Sequence, residues 1–189
     1  MEVLIDYTLI QRCEDDDPRA QSELYKLLYR GLIGICWRYA SDKEQAVEYM
    51  NLGFVRILLN IRKYKKEVPF EMWARRVMIN TIINEFKKNK NWNEKSVRGQ
   101  DLRMVEERDD FGLSEHQSEM LEIIKQKSIM LPPMTLKVFN LYAIDGYSHN
   151  EISNLLGISE GTSAWHFSEA KKRIRQMIGI SRPVKENGQ

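Results

Sequence analysis

The stretch SHNEISNLLGISEGTSAWHFSEAKKRIRQM, residues 148–177, predicts a helix, a tight turn and a second helix. Ser148 followed by Glu151 has the spacing of a capping box, so the first helix should begin there. Gly157 can leave that helix in the left-handed conformation, and Ser159 can cap the second helix. Two helices joined in this way are typical of a helix-turn-helix, whose second helix enters the major groove of DNA.

The second of these helices has two chemically different faces on a helical wheel. Its largest aromatic, Trp165, lies opposite the apolar face, where packing gives no reason for it, so Trp165 is a candidate contact to DNA. The basic turns that follow suit phosphate contacts. The alternative interpretation is an ordinary helical hairpin with a solvated basic end. The apolar face carries Ser163, Phe167, Ala170, Ile174 and Ile178, and the opposite face carries Thr162, Trp165, Glu169, Lys172 and Gln176.

Composition limits the class of protein. The 189 residues allow one or two small domains, and the net charge of +2 confines any nucleic-acid binding to local patches. Cys13 and Cys36 are too few for a disulfide framework, and with the three histidines they show no metal-ligand spacing. We therefore expect buried free thiols, no metal and no cofactor. The lack of a long apolar run and of a signal peptide predicts a soluble, cytoplasmic protein without membrane insertion.

Few alternating apolar runs occur in the chain, so an all-α fold is expected. In the N-terminal half, helices are predicted over residues 6–14, 18–39, 42–60 and 70–90. Ser41 with Glu44 has the spacing of a capping box for the third, and Gly31 and Gly34 in the second would fit close packing with a neighbouring helix. The apolar excess near Leu59 fits either a partner surface or a wide core face. The residues expected to face inward are Tyr7, Leu9, Ile10, Leu24, Leu27, Leu28, Ile35, Trp37, Val47, Met50, Phe54, Leu58, Ile61, Val77, Ile82, Ile83 and Phe86.

A basic loop precedes the fourth helix, whose composition is unusual. Cations interleaved with Tyr64, Phe70 and Trp73 are typical of proteins that bind single-stranded or melted nucleic acid through phosphate attraction and base stacking. The alternative is a cationic amphipathic helix without a ligand. The candidate contact residues are Arg62, Lys63, Tyr64, Lys65, Lys66, Trp73, Arg75, Arg76, Asn80, Asn84, Lys87 and Lys88.

With both halves considered, the chain resembles the bacterial RNA polymerase sigma factors of the extracytoplasmic-function (ECF) class, in the sigma-70 family. LYKLLY at 24–29 is similar to the early region 2 helix of that family, and WARRVMIN at 73–80 to the helix that meets the −10 element. The segments at 131–141, 146–152 and 156–163 are similar to region 4, and this ordered series is the most specific part of the resemblance.

The resemblance implies an all-α fold with two small helical domains joined by a flexible linker. It also implies a factor that is not an enzyme, binds core RNA polymerase and promoter DNA, and directs promoter-specific initiation at −10 and −35 elements. Relatives are commonly held by an anti-sigma protein, which would be a further partner. The implied boundaries are region 2 at 1–91, the linker at 92–117, the region 4 helix-turn-helix at 118–182 and a disordered tail at 183–189.

Site residues follow from the resemblance by position. The loop at 62–66 would hold a base flipped from the non-template strand, and Asn80 would help to read the −10 element. Glu48, Asn51, Leu52 and Phe54 would dock on the polymerase. The −35 contacts would come from Ser148, Thr162, Ser163, Ala164, Trp165, His166, Ser168, Glu169, Lys172 and Arg175.

Two departures from the family pattern bear on these roles. Leu52 stands where relatives usually have an acidic residue, and Trp165 and Glu169 lie where many place basic or small polar residues. The −35 sequence should therefore differ from that of arginine-rich relatives. A free-standing helix-turn-helix regulator is the alternative function. An enzyme using Glu48 or His149 is a second rival, but no nucleophile constellation or phosphate loop supports it.

Overall fold

The computed structural model describes residues 5–88 and 115–179, and over these ranges it is helical and contains no β-strand. The chain divides into two compact units, Met1–Arg108 and Asp109–Gln189. Each unit has its own hydrophobic core. The all-α, two-domain architecture expected from the sequence is confirmed.

The described part of the first unit consists of four α-helices and a 3-10 turn. Asp17 caps the second helix by accepting from the backbone N–H of Arg19 at 2.8 Å, and Pro18 occupies the first helical position. The elements are α1 (Tyr7–Glu14), α2 (Pro18–Tyr39), α3 (Lys43–Asn60), the 3-10 turn (Ile61–Lys63) and α4 (Phe70–Lys88).

The start of α3 differs from the prediction by one residue. Asp42, not Ser41, is the N-cap, and its carboxylate accepts from the backbone N–H of Gln45 at 2.8 Å. The Gln45 side-chain oxygen in turn accepts from the backbone N–H of Ser41 at 2.7 Å. The pair Asp42–Gln45 has the same spacing as the predicted pair Ser41–Glu44 and lies one residue later in the chain.

The core of the first unit lies where α2, α3 and α4 pack together, with α1 against α2. Three predicted inward residues, Tyr7, Leu27 and Val47, are wrong, because their side chains are exposed. The error on α3 has a cause in the sequence: its buried face includes two small residues, Ala46 and Gly53, which contribute little to a hydrophobic pattern. Residues buried as predicted include Leu9, Ile10, Leu24, Leu28, Ile35, Met50, Phe54, Ile61, Ile82 and Ile83.

One glycine lies where α3 packs against α4. A Cβ placed on Gly53 would collide with the Sδ and Cε atoms of the buried Met78, so a side chain there would force Met78 to move. Gly31, for which close packing was predicted, is exposed and has nothing within 4 Å of a built Cβ. That prediction is wrong for Gly31, whereas Gly34 is buried.

The described part of the second unit is also helical: α5 (Glu115–Ser128), α6 (Pro133–Phe139) and α7 (His149–Leu156) each pack against α8 (Glu160–Ile178). The α-helix that begins at Pro133 ends at Phe139 and is followed directly by a single π-helical turn (Asn140–Ile144). The last three residues of the predicted linker belong to α5. The rest of that linker and the tail at 183–189 lie outside the described residues.

Candidate nucleic-acid interface

The helix-turn-helix of the second unit is formed by α7, Gly157 and α8, as the sequence predicts. Ser148 caps α7, and both halves of its capping box with Glu151 are present. Gly157 ends α7 in the left-handed conformation, with a φ of 68°. Ser159 caps α8 by accepting from the backbone N–H of Thr162 at 3.0 Å. The two helices are thus bounded by local hydrogen bonds.

The buried side of α8 is held by polar and aromatic contacts. Ser163 is fully buried, and its hydroxyl oxygen lies 2.9 Å from Nδ1 of His149. The His149 ring stacks on Tyr142 with centroids 4.3 Å apart, and Tyr142 lies equally close to Phe167. Ser163, although among the expected −35 contacts, therefore belongs to the core that joins α7 to α8, and its side chain does not face outward.

The outward side of α8 is dominated by Trp165, which is 59% exposed. Thr162, Ser168 and Lys172 are exposed on the same side of the helix, and Ala164 is half-buried. The edge of the Trp165 ring meets His166, with ring centroids 4.8 Å apart. These are the side chains that α8 offers to a DNA groove.

Glu169, an expected −35 contact, is engaged along its own helix. Its carboxylate accepts from Nε of Arg173 at 2.6 Å, and this hydrogen bond lowers the pKa of Glu169 below its usual value. The pair is of the i, i+4 type that helices favour. Glu169 therefore stays ionised and occupies the Arg173 guanidinium at the same time.

In the first unit, the basic loop at residues 61–69 is built around an aromatic cluster. Tyr64 meets Phe70 edge to face at 5.1 Å, and Trp73 lies within 5.7 Å of both rings. Phe70 is buried, whereas Tyr64 and Trp73 are half-buried. The Tyr64 hydroxyl donates to the backbone carbonyl of Val68 at 2.8 Å and so closes the loop. Two of the predicted aromatic contacts thus also shape the loop.

The helix α1 holds the other side of this loop, which the sequence did not reveal. Arg62 donates from Nη2 to the backbone carbonyl of Glu14, the last residue of α1, at 2.7 Å. Lys66 adopts a φ of 57°, and its ammonium lies 3.1 Å from the centroid of the Tyr7 ring. The exposed position of Tyr7 therefore has a reason: its ring contacts the Lys66 ammonium.

One face of α4 gathers the remaining −10 candidates. Arg76, Asn80, Asn84 and Lys87 are all exposed, and with Trp73 they recur at spacings of three and four residues. This spacing places them in one stripe along the helix. Lys88 is exposed beside the stripe and pairs with Glu85 at 2.6 Å, while Arg75 is half-buried.

A groove of about 600 Å³ runs between this part of α4 and the end of α3. Its lining includes Asn80, Asn84 and Lys87 from α4, together with Arg56 and Asn60 from α3. The sequence analysis did not select Arg56 or Asn60. Only the packing of α3 on α4 brings them beside Asn80, and no local sequence signal reports that packing.

The expected polymerase-docking residues divide between surface and core. Glu48, Asn51 and Leu52 are exposed on α3, whereas Phe54 is buried edge to face against Tyr25, with centroids 4.9 Å apart. Two apolar side chains continue the exposed face: Leu59, for which the sequence left a partner surface or a core face open, and Val55, which was not selected from the sequence. Val55 is 52% exposed and Leu59 is 70% exposed.

Other chemistry is sparse over the residues that the structure describes. Cys13 and Cys36 are free and buried, and burial raises their thiol pKa values to about 11 and about 12. Within the described ranges, no three His, Cys, Asp or Glu side chains gather in a way that could hold a metal ion. No described helix combines the length and apolar character needed to cross a membrane.

Comparison with known proteins gives matches in both units. Residues 24–91 match the Sigma-70 region 2 family and residues 121–174 match the Sigma-70, region 4 family. The ECF RNA polymerase sigma factor SigW of Bacillus subtilis (strain 168) is 23% identical, covering 89% of this chain and 94% of its own length. The ECF RNA polymerase sigma-E factor of Haemophilus influenzae is also 23% identical, covering 94% of this chain and 97% of its own.

A solved structure supports the fold alone. The sigma factor RpoE from Bartonella quintana, in complex with the anti-sigma factor NepR, matches with a TM-score of 0.51 at 14% identity. The match covers 85% of this chain and 98% of that one.

The helix-turn-helix of one unit and the basic, aromatic surface of the other suit binding to DNA, and the family matches of both units define a promoter-recognition factor. The two family matches together cover more than half of the chain, in the order region 2 and then region 4. The chain belongs to the sigma-70 family of RNA polymerase sigma factors and, within it, to the ECF class. It binds core RNA polymerase and promoter DNA, and it directs transcription initiation to specific promoters.

Proposed function

We propose that the first unit opens and holds the −10 element while α8 of the second unit lies in the major groove of the −35 element. The observation that carries this proposal is the stripe of Trp73, Arg76, Asn80, Asn84 and Lys87 on α4. A stripe of cations, amides and an aromatic ring, turned away from the core, suits an unpaired strand better than it suits packing. It combines phosphate attraction with base contacts.

The basic loop and the stripe on α4 would contact different groups of that strand. Tyr64 and Trp73 offer aromatic rings at the base of the loop, where an unstacked base could gain about 1–3 kcal/mol from stacking. Asn80 offers an amide, whose two donors and one acceptor group can read a base edge. Lys65, Arg76 and Lys87 are exposed and would face phosphates.

For the second unit, we assign the −35 contacts to the outward side of α8. Thr162, Trp165 and Ser168 would face base edges because they lie in the first turns, which a recognition helix places in the groove. Lys172 and Arg175, farther along the helix, would contact phosphates. Ser163 is left out of this assignment because it is buried.

The polymerase would dock on the exposed face of α3. Glu48, Asn51 and Leu52 lie there, and Val55 and Leu59 extend the face with apolar surface. An exposed pair of large aliphatic side chains beside polar groups fits a protein–protein contact better than open solvent. Phe54 would support this face from within and would not touch the polymerase.

We further infer that the protein is not itself an enzyme, because catalysis belongs to the polymerase that it directs. We place it in the cytoplasm, where that polymerase works. The boundaries 1–91, 92–117 and 118–182 remain our proposal for region 2, the linker and region 4. An anti-sigma protein is also an expected regulator, since the Bartonella relative in fold was solved with one.

The decisive test replaces Asn80 with alanine. Asn80→Ala should lower promoter opening, measured by permanganate reactivity of unpaired thymines, while pull-down of core polymerase stays unchanged. Leu59→Asp is the matched variant on α3, and it should lower the pull-down first. Equal loss of both activities in Asn80→Ala would count against the assignment. Failure of the wild-type chain to retain core polymerase would favour the free-standing regulator.

A further inference from the structure

The groove-facing part of α8 contains no cation. From Glu160 to Ala170 the sequence has neither lysine nor arginine, and the first cation is Lys171. The centre of this surface is instead the indole of Trp165, 59% exposed. Guanine is usually read by a bidentate arginine or lysine from the early turns of a recognition helix. This surface has no such residue to offer.

Two of the later cations are also occupied within α8. Arg173 donates to the Glu169 carboxylate at 2.6 Å, and the ammonium of Lys171 lies 4.7 Å from the centroid of the Phe167 ring. Neither group can turn to a guanine without giving up its partner. The later turns therefore favour phosphate contact over base reading.

The indole of Trp165 is supported from behind. Its ring meets His166 at an interplanar angle of 72°, and Nδ1 of His166 lies 3.0 Å from the hydroxyl oxygen of Thr135. Thr135 is on α6 and is only 2% exposed. A chain of contacts thus runs from the core of the second unit to the exposed indole. It restricts the indole before any DNA arrives, which lowers the entropy lost on binding.

We propose that Trp165 reads thymine through its C5-methyl group, so that methyl contacts, in place of guanine contacts, set the −35 preference of this sigma factor. That methyl is the apolar group which base pairs present in the major groove. Thr135 and His166 act as positioning residues for the indole. The inference rests on the proposed docking of α8 at the −35 element and adds the base that it selects.

The test removes only the methyl group. Holoenzyme, assembled from core polymerase and the full chain, is first used to select a −35 duplex from a randomised library, and its footprint is recorded. Each thymine in the footprint is then replaced by deoxyuridine. At one or more positions the wild-type protein should lose about fourfold in affinity, the worth of one buried methyl group. Trp165→Ala should bind both duplexes equally.

Controls separate this inference from the function on which it rests. Lys172→Ala should weaken binding to all sequences and flatten the salt slope by about one unit, yet keep the deoxyuridine effect. Thr135→Val, which removes the hydroxyl at constant shape, should reduce the deoxyuridine effect while the affinity for non-specific DNA stays unchanged.

Two outcomes would overturn the proposal in distinguishable ways. A −35 footprint that persists, with deoxyuridine tolerated at every position by the wild-type protein, would refute methyl reading and leave the docking of α8 intact. The absence of any −35 footprint would refute the docking itself, and the inference with it.

Discussion

The two nucleic-acid surfaces of this protein are built from contacts of very different range. The ends of α7 and α8 are fixed by residues three apart in sequence, such as Ser148 with Glu151. The basic loop is held by partners from the far end of its unit: Arg62 by Glu14, and Lys66 by Tyr7. The helix ends of the first surface are therefore specified locally, whereas the shape of the basic loop exists only after the unit has folded.

Because of this difference, the two surfaces should respond differently to mutation. A cap or a turn glycine acts within one helix end, so its loss should be felt in one place. A loop held by distant partners depends on every packing contact that brings those partners near. We expect changes in the core of the first unit to reach the −10 surface, and changes in helix caps to stay local.

The largest effect that we predict concerns a buried side chain of the second unit, which depends on packing and not on local spacing. Lys137 on α6 is only 3% exposed, and desolvation lowers its pKa to about 8. Below pH 8 the lysine is charged in both the folded and the unfolded state. Between pH 8 and about 10.5 the unfolded state binds more protons at Lys137, so this lysine contributes a rise with pH to the free energy of unfolding. The two buried thiols contribute a fall above pH 9, because their pKa values are raised, so the contribution of the lysine is the difference between the wild type and Lys137→Met.

The rise that Lys137 contributes should amount to roughly 3 kcal/mol, at about 1.4 kcal/mol for each unit of pKa depression. Lys137→Met should remove it, because methionine has nothing to titrate. Urea unfolding of both proteins, compared at several pH values in this window, measures the difference. Parallel curves for the two proteins would show that Lys137 keeps an ordinary pKa.

The next effect concerns two glycines of the first unit, Gly31 and Gly53. Alanine at either position should gain about 1 kcal/mol in helix propensity. At Gly53 the new methyl also collides with Met78, which should cost about 1–3 kcal/mol, whereas at Gly31 it meets nothing. In urea unfolding, the free energy of unfolding of Gly31→Ala should therefore exceed that of Gly53→Ala by about 1–3 kcal/mol.

The same pair reports on the −10 surface, because α3 and α4 flank its groove. Gly53→Ala should reduce promoter opening, and Gly31→Ala should not. Equal stability and equal opening in the two variants would mean that the Met78 side chain moves aside at this crossing without a measurable cost.

These contrasts explain what the sequence could predict and what it could not. The caps Ser148 and Ser159, the turn at Gly157 and the exposure of Trp165 were all predicted, since each follows from spacing within one or two helices. The face of α3 was misplaced at Val47, because its buried side includes the small residues Ala46 and Gly53, which a pattern of large apolar residues does not register.

The residues of the candidate site divide in the same way, into those that local sequence could predict and those that it could not. The side chains along α4 were found from composition, but the groove partners Arg56 and Asn60 were not, since they arrive from another helix. Ser163 was expected at the DNA, yet it bonds to His149, fourteen residues away. A helical wheel gives the face of a residue but not its partner.

The N-cap of α7 in the second unit should have a smaller effect on stability. Ser148→Ala removes the cap of α7 and should cost about 1 kcal/mol. Ser153→Ala is the matched control in the same helix, where the hydroxyl only donates to the carbonyl of Asn150. Urea unfolding should separate the two variants. Equal stability would show that the cap contributes nothing beyond helix propensity.

The smallest effect concerns the most distant contact of the basic loop. Lys66 has a φ of 57°, a conformation that costs a residue with a Cβ roughly 1 kcal/mol, so something must hold it there. The Tyr7 ring beneath its ammonium is the support, worth about 0.5–1 kcal/mol at an exposed site. Without that ring the loop would have to be ordered when DNA binds.

Tyr7→Leu should therefore weaken binding of holoenzyme to a single-stranded −10 oligonucleotide by about two- to fivefold, which is that energy expressed as a ratio. Tyr7→Phe keeps the ring and should bind normally. If Tyr7→Leu instead binds more tightly, then Tyr7 withholds Lys66 from phosphate, and α1 restrains the loop rather than shaping it. Because Tyr7 lies nearly sixty residues before Lys66, either result would trace a property of the −10 surface to a helix that no motif connects to it.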